Sequence, residues 1–86
     1  MKTLVMKFGG AALKTPERLS DIADIVCEKK GPVVIVVSAM GNVTDELQSL
    51  ALQVSKSPSK REMDMLLSVG ERVSMALLAM ALKERK

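Results

Sequence analysis

Three short segments of the 86-residue sequence carry side chains whose types and spacing could act on a phosphorylated ligand. In the first, Lys7 is followed by Phe8-Gly9-Gly10. Paired glycines let backbone N–H groups approach a phosphate with no Cβ in the way, and a lysine at the same place adds positive charge. An ordinary tight turn, with Lys7 a solvated strand end, accounts for the same residues. The second segment is Ser38-Ala39-Met40-Gly41-Asn42-Val43-Thr44, a loop with a hydroxyl at each end. Thr44 there also reads as the cap of a following helix. The third is Ser68-Val69-Gly70-Glu71-Arg72, within a helical stretch where glycine costs about 1 kcal/mol relative to alanine unless backbone or ligand must come close. Glu71 could offer its carboxylate to a substrate ammonium group, or could simply pair with Arg72 at the surface. Neither the P-loop nor the G-x-G-x-x-G pattern is present. With no His and a single Cys27, the sequence offers no metal-ligand set and no internal disulfide.

The elements that must position these segments can be read from pattern. Thr3 to Phe8 is a short apolar run broken only by Lys7 and ended by Gly9-Gly10, which predicts a strand delivering Lys7 to its C-terminal end. Thr15-Pro16-Glu17 has the grammar of a helix start, and Leu19, Ile22, Ala23 and Val26 recur at helical spacing. Gly31-Pro32 is expected to stop that helix. Val33 to Val37 is an unbroken β-branched run, the mark of a strand covered on both faces in a parallel sheet. Strand, helix and strand make one βαβ unit. Ligands in such sheets bind beyond the carboxyl ends of the strands, so the Lys7 turn and the Ser38 loop are expected to open on one crevice. Thr44 with Asp45-Glu46 predicts a second helix bearing Leu47, Leu50, Ala51 and Val54, followed by a polar linker from Ser55 to Lys60. A long third helix is predicted from Arg61 to about Lys83, with more apolar residues than one face can hold.

Composition narrows the class. A net charge of +3, with basic and acidic residues interleaved except at Lys83-Glu84-Arg85-Lys86, is not a nucleic-acid-binding profile. Leu4 to Met6 is too short for a signal peptide's apolar region, and no uninterrupted apolar run approaches the roughly 18 residues of a membrane span. A soluble protein of the cytoplasm is the expectation. The core must be aliphatic, since Phe8 is the single aromatic, and 48% hydrophobic residues with few elements to cover suggest exposed apolar surface on the third helix and self-association through it.

In this order the three segments resemble the opening of an aspartate kinase of the amino acid kinase family. Lys7-Phe8-Gly9-Gly10 is similar to the family's first-strand motif, Val33 to Thr44 to its second strand and loop, and Glu62 to Leu82 to its long helix, above all Met63-Asp64-Met65-Leu66-Leu67-Ser68-Val69-Gly70-Glu71-Arg72-Val73-Ser74. The resemblance implies an α/β fold in which residues 1–86 form the N-terminal part of a kinase domain, a parallel-sheet αβα sandwich, with the rest of that domain and ACT-type regulatory modules lying outside them. It implies transfer of the γ-phosphate of ATP to the side-chain carboxylate of L-aspartate, and that these residues alone are inactive. It assigns Lys7 as the catalytic, phosphate-neutralising group, Gly9 and Gly10 to ATP, Ser38 and Thr44 to aspartate, Glu71 to its ammonium group, and Mg²⁺ as the bridging ion. Ala11-Ala12 stands where the family usually has Thr-Ser, removing two hydroxyls from the neighbourhood of the phosphates. A kinase acting on glutamate or acetylglutamate, and a non-catalytic module associating with a full-length kinase, are the alternatives.

Overall fold

A computed structural model describes residues 2–85; Lys86, last of the basic end, lies outside them. Strand β1 (Leu4–Phe8) is followed by a 3-10 turn (Gly10–Leu13), helix α1 (Pro16–Cys27), strand β2 (Val33–Val37), helix α2 (Val43–Val54) and helix α3 (Lys60–Lys83). The strands pair in parallel with Leu4 opposite Val33 and Phe8 opposite Val37. The α/β class and the βαβ unit are therefore as predicted. Because the two strands end together, Gly9 and Ser38 leave the same end of the sheet, and the Ser38 N–H donating to the Phe8 carbonyl at 3.1 Å extends the ladder by one residue.

α1 starts where its sequence indicates. The Thr15 side chain accepts from the Arg18 N–H, Pro16 occupies the first turn and Glu17 lies beside the positive end of the helix. Its buried stripe of Leu19, Ile22 and Ala23 meets Leu13, Val37 and Leu78 in the core. The helix ends at Cys27, four residues before Gly31, so Gly31-Pro32 does not stop it. Gly31, at φ 86°, serves the turn into β2.

β2 departs from expectation more strongly. Its exposure alternates, with Val33, Ile35 and Val37 turned towards the helices while Val34 and Val36 stay 49% and 46% exposed. α1 and α3 cover one face only, and no described element crosses to the other, where Val5 and Lys7 lie in register with Val34 and Val36.

α3 begins one residue earlier than predicted, at Lys60, after Ser59, whose hydroxyl bonds the Glu62 carboxylate in the S-x-x-E pattern of a helix start. At its far end Arg85 donates to the Ala81 carbonyl, to Asp24 at 2.6 Å and to the Ser20 hydroxyl at 2.6 Å, clasping α3 to α1. The hydrogen bond to Asp24 raises the guanidinium pKa above its ordinary value. By length and composition α3, with an 18-residue window of mean hydropathy 1.6, could cross a membrane. Its Glu71-Arg72 pair falls in the middle of that stretch, and its buried Gly70, Ser74 and Leu78 pack on the other elements, so here it is the central helix of the fold.

Candidate functional site

The loop after β2 is shaped by one residue whose backbone favours glycine. Gly41 has φ 43°, in the left-handed region, and a Cβ there would meet the Lys14 carbonyl oxygen at 3.4 Å. This turn, closed by the Val43 N–H donating to the Met40 carbonyl at 2.9 Å, starts α2 at Val43. Thr44 is consequently the second residue of the helix. The cap position belongs to Asn42, which makes no side-chain capping bond, so the expectation that Thr44 caps α2 is corrected.

Gly70 brings α3 onto this loop. A Cβ added there would lie 2.9 Å from the Ala39 Cβ and 3.1 Å from Val43 Cγ1. The missing side chain thus permits a helix-to-loop approach that alanine would obstruct, which explains a glycine inside a 24-residue helix. Glu71 follows at once and faces the space beside the loop.

That space is a cavity of about 360 Å³ lined by Ser38, Thr44, Asp64, Ser68 and Glu71, with Ala39 and Leu67 as its apolar lining. Three residues singled out from the sequence, Ser38, Thr44 and Glu71, therefore share one cavity. Asp64, Leu67 and Ser68 were missed. Their signal is present in the spacing, since 64, 67, 68 and 71 lie on one face of a helix. Among the described residues the Ser38 and Thr44 hydroxyls have no hydrogen-bond partner, and Arg85–Asp24 is the sole ion pair, so the Asp64 and Glu71 carboxylates face the cavity without a bonded cation. The same absence disposes of a Glu71–Arg72 surface pair.

The structure does not bring Lys7 into this cavity. Lys7 is exposed near the end of β1, with no ion pair among the described residues. Gly10 lies against Ala39, which lines the cavity. A Cβ on Gly10 would touch the Ala39 carbonyl oxygen at 3.4 Å, whereas one on Gly9 would meet nothing within 4 Å. Ala11 is exposed and Ala12 packs against the core from the 3-10 turn.

Two further cavities are mainly apolar, although Ser55, Ser59 and Glu62 also line the first. One of about 490 Å³ lies between α2 and α3 against Leu50, Val54, Pro58, Met63 and Leu66. The other, about 250 Å³, lies between β2 and α3 against Ile35, Met75 and Leu82. Among the described residues no three His, Cys, Asp or Glu side chains cluster as a metal site.

Comparison with known proteins bears on the family and the fold. The chain is 57% identical over 88 residues to an aspartokinase of Geobacillus stearothermophilus, an alignment covering 99% of this chain and 22% of that protein. It is 52% identical to aspartokinase 2 of Bacillus subtilis over 99% of this chain and 22% of the relative. The solved structure of an aspartate kinase from Synechocystis superimposes with a TM-score of 0.93 at 48% identity, over 99% of this chain and 15% of that one. The chain thus spans about a fifth of the length of the curated relatives it matches. The family model described as the amino acid kinase family matches residues 2–86, so that the βαβ unit and its glycine-notched helix belong to a recognised whole: this chain is a member of the amino acid kinase family.

Proposed function

We propose that these residues form the acceptor site and part of the phosphate site of an ATP-dependent aspartate kinase. The observation carrying the proposal is the single cavity that unites Ser38, Thr44 and Glu71. The reaction joins an oxygen of the L-aspartate side-chain carboxylate to the γ-phosphorus of ATP. The bond from that phosphorus to its bridging oxygen breaks, ADP leaves with the electron pair, and the product is 4-phospho-L-aspartate. A carboxylate of ordinary pKa about 3.9 is already ionised at neutral pH, so no general base is required. Alignment and charge cancellation are.

Ser38 and Thr44 would donate to carboxylate oxygens, and Glu71 would take the ammonium group. Lys7, near the end of its strand and in no ion pair among the described residues, would offset the phosphate charge. Gly9 and Gly10 would present backbone N–H groups to ATP. The open space above Gly9, which no described residue fills, supports that role. Mg²⁺ accompanying ATP would supply positive charge against the phosphates; among the described residues no three carboxylates cluster to hold it. An acetylated acceptor suits the cavity poorly, because it brings no cation to Asp64 and Glu71. A cytoplasmic setting goes with this reading, since Cys27 is free and exposed. So does self-association through the exposed apolar side of α3.

The test is a chimera in which these residues replace the matching fifth of the Geobacillus stearothermophilus aspartokinase. L-Aspartate-dependent ADP release is expected, and Glu71→Gln is expected to raise the KM for aspartate by about tenfold or more, as for loss of a charge-assisted hydrogen bond. ATP turnover indifferent to L-aspartate, or an unchanged KM in the Glu71→Gln protein, would overturn the proposal.

A further inference from the structure

Resting on that reading of the cavity, we infer that Asp64 and Ser68 complete, with Glu71, a three-acceptor wall that makes a free primary ammonium group a requirement for the acceptor substrate. The spacing of 64, 68 and 71 places them on one face of α3, and all three line the cavity. The state of Ser68 decides its role. Its Oγ donates to the Met65 carbonyl at 2.7 Å, within its own helix. A hydroxyl has one proton, so what remains for a ligand is lone pairs. Ser68 is therefore an acceptor, like the two carboxylates on either side of it.

The opposite wall has the reverse character. The Ser38 and Thr44 hydroxyls keep their protons uncommitted among the described residues, so they can donate to a carboxylate oxygen. The cavity is thus polarised across its width, with donors on the β2–α2 loop and acceptors on α3. Among the described residues no lysine or arginine lines it. An ammonium group carries three N–H donors and a positive charge, matching three acceptors of which two are anionic. An N-acetyl amide offers one N–H and no charge, and succinate offers neither. The acceptor wall therefore determines specificity by what it leaves unpaired when the wrong acceptor enters, because unpaired polar groups discriminate more strongly than lost apolar contact.

The test uses the same chimera with Asp64→Asn, Ser68→Ala and, as a control on the exposed side of α3, Val69→Ala. Dissociation constants for L-aspartate, succinate and N-acetyl-L-aspartate are measured by calorimetry, so that ligand binding is read whether or not the protein turns over. Thermal midpoints monitor folding. Asp64→Asn is expected to weaken L-aspartate about tenfold and Ser68→Ala about threefold, with succinate unchanged or tighter and Val69→Ala without effect. Equal weakening of L-aspartate and succinate, or no weakening of either, overturns the inference while leaving the acceptor site in place. An unsubstituted chimera that binds succinate as well as L-aspartate, or binds neither, overturns the site reading itself and this inference with it.

Discussion

A side chain added at Gly9 would project into open space, and the backbone there, at φ −85° and ψ 177°, is one that any residue adopts. Among the described residues nothing requires glycine at this position. Replacing glycine by alanine at a compatible site stabilises a protein by about 0.4–1 kcal/mol, chiefly by restricting the unfolded chain. Gly9→Ala is therefore expected to raise the thermal midpoint of the chimera slightly while raising its KM for ATP several-fold. A variant that is stabilised with an unchanged KM for ATP would show that no phosphate approaches this backbone. Lys7→Met should separate in the same direction, with turnover falling by about a hundredfold or more and folding kept, since among the described residues Lys7 makes no ion pair that the substitution could break. At this scale the sequence was informative about residue type and silent about orientation. Glu71 was legible because it follows a glycine that a helix does not want. Asp64 and Ser68 were not, because an acid and a serine on a helix ordinarily face solvent.

Between elements the decisive contact is Gly70 against Ala39 and Val43. Alanine at an interior helical site gains about 1 kcal/mol in propensity. Here its Cβ would arrive 2.9 Å from the Ala39 Cβ, an atom fixed to the backbone and unable to rotate aside. Overpacking of that kind costs about 1–3 kcal/mol. The overlap should win, so Gly70→Ala is expected to lower stability by about 1 kcal/mol and to weaken L-aspartate, because α3 must retreat from the loop that carries Ser38 and Thr44. A stabilised Gly70→Ala protein with unaltered aspartate binding would remove the close approach as the reason for this glycine. The parallel βαβ unit was readable from periodicity and turn residues alone. The Thr44 cap was not, since the left-handed turn at Gly41 moves the helix start back to Val43. Coverage of β2 was misread for a related reason: an unbroken Val and Ile run shows that both faces tolerate burial, and carries no information about whether a second layer is present.

For the molecule as a whole, size and surface disagree with those of a closed globule. A compact domain of this length has a radius of gyration of about 12 Å, whereas this chain has 15.1 Å and extents of 48 × 27 × 18 Å. Its accessible surface is 6400 Å², against about 5,000 Å² for a folded monomer of its mass. Much of the excess is apolar. α2 buries no residue fully, and on α3 Met65, Val69, Val73, Leu77 and Met80 form an exposed stripe at spacings of four and three. That stripe spans sixteen residues, about 22 Å from first to last at 1.5 Å rise per residue, and lies away from both the buried Gly70, Ser74 and Leu78 and the cavity-lining Asp64, Ser68 and Glu71. Apolar area of this extent is stabilised by removal from water, so the 86-residue chain alone is expected to sediment as more than a monomer at micromolar concentration and to enhance the fluorescence of a hydrophobic dye. Met65→Lys with Val73→Lys, which leave the buried stripe intact, should shift it towards monomer. If the unsubstituted chain sediments as a compact monomer and leaves the dye dark, α3 has no exposed association face, and the stripe must close against the chain's own elements in solution.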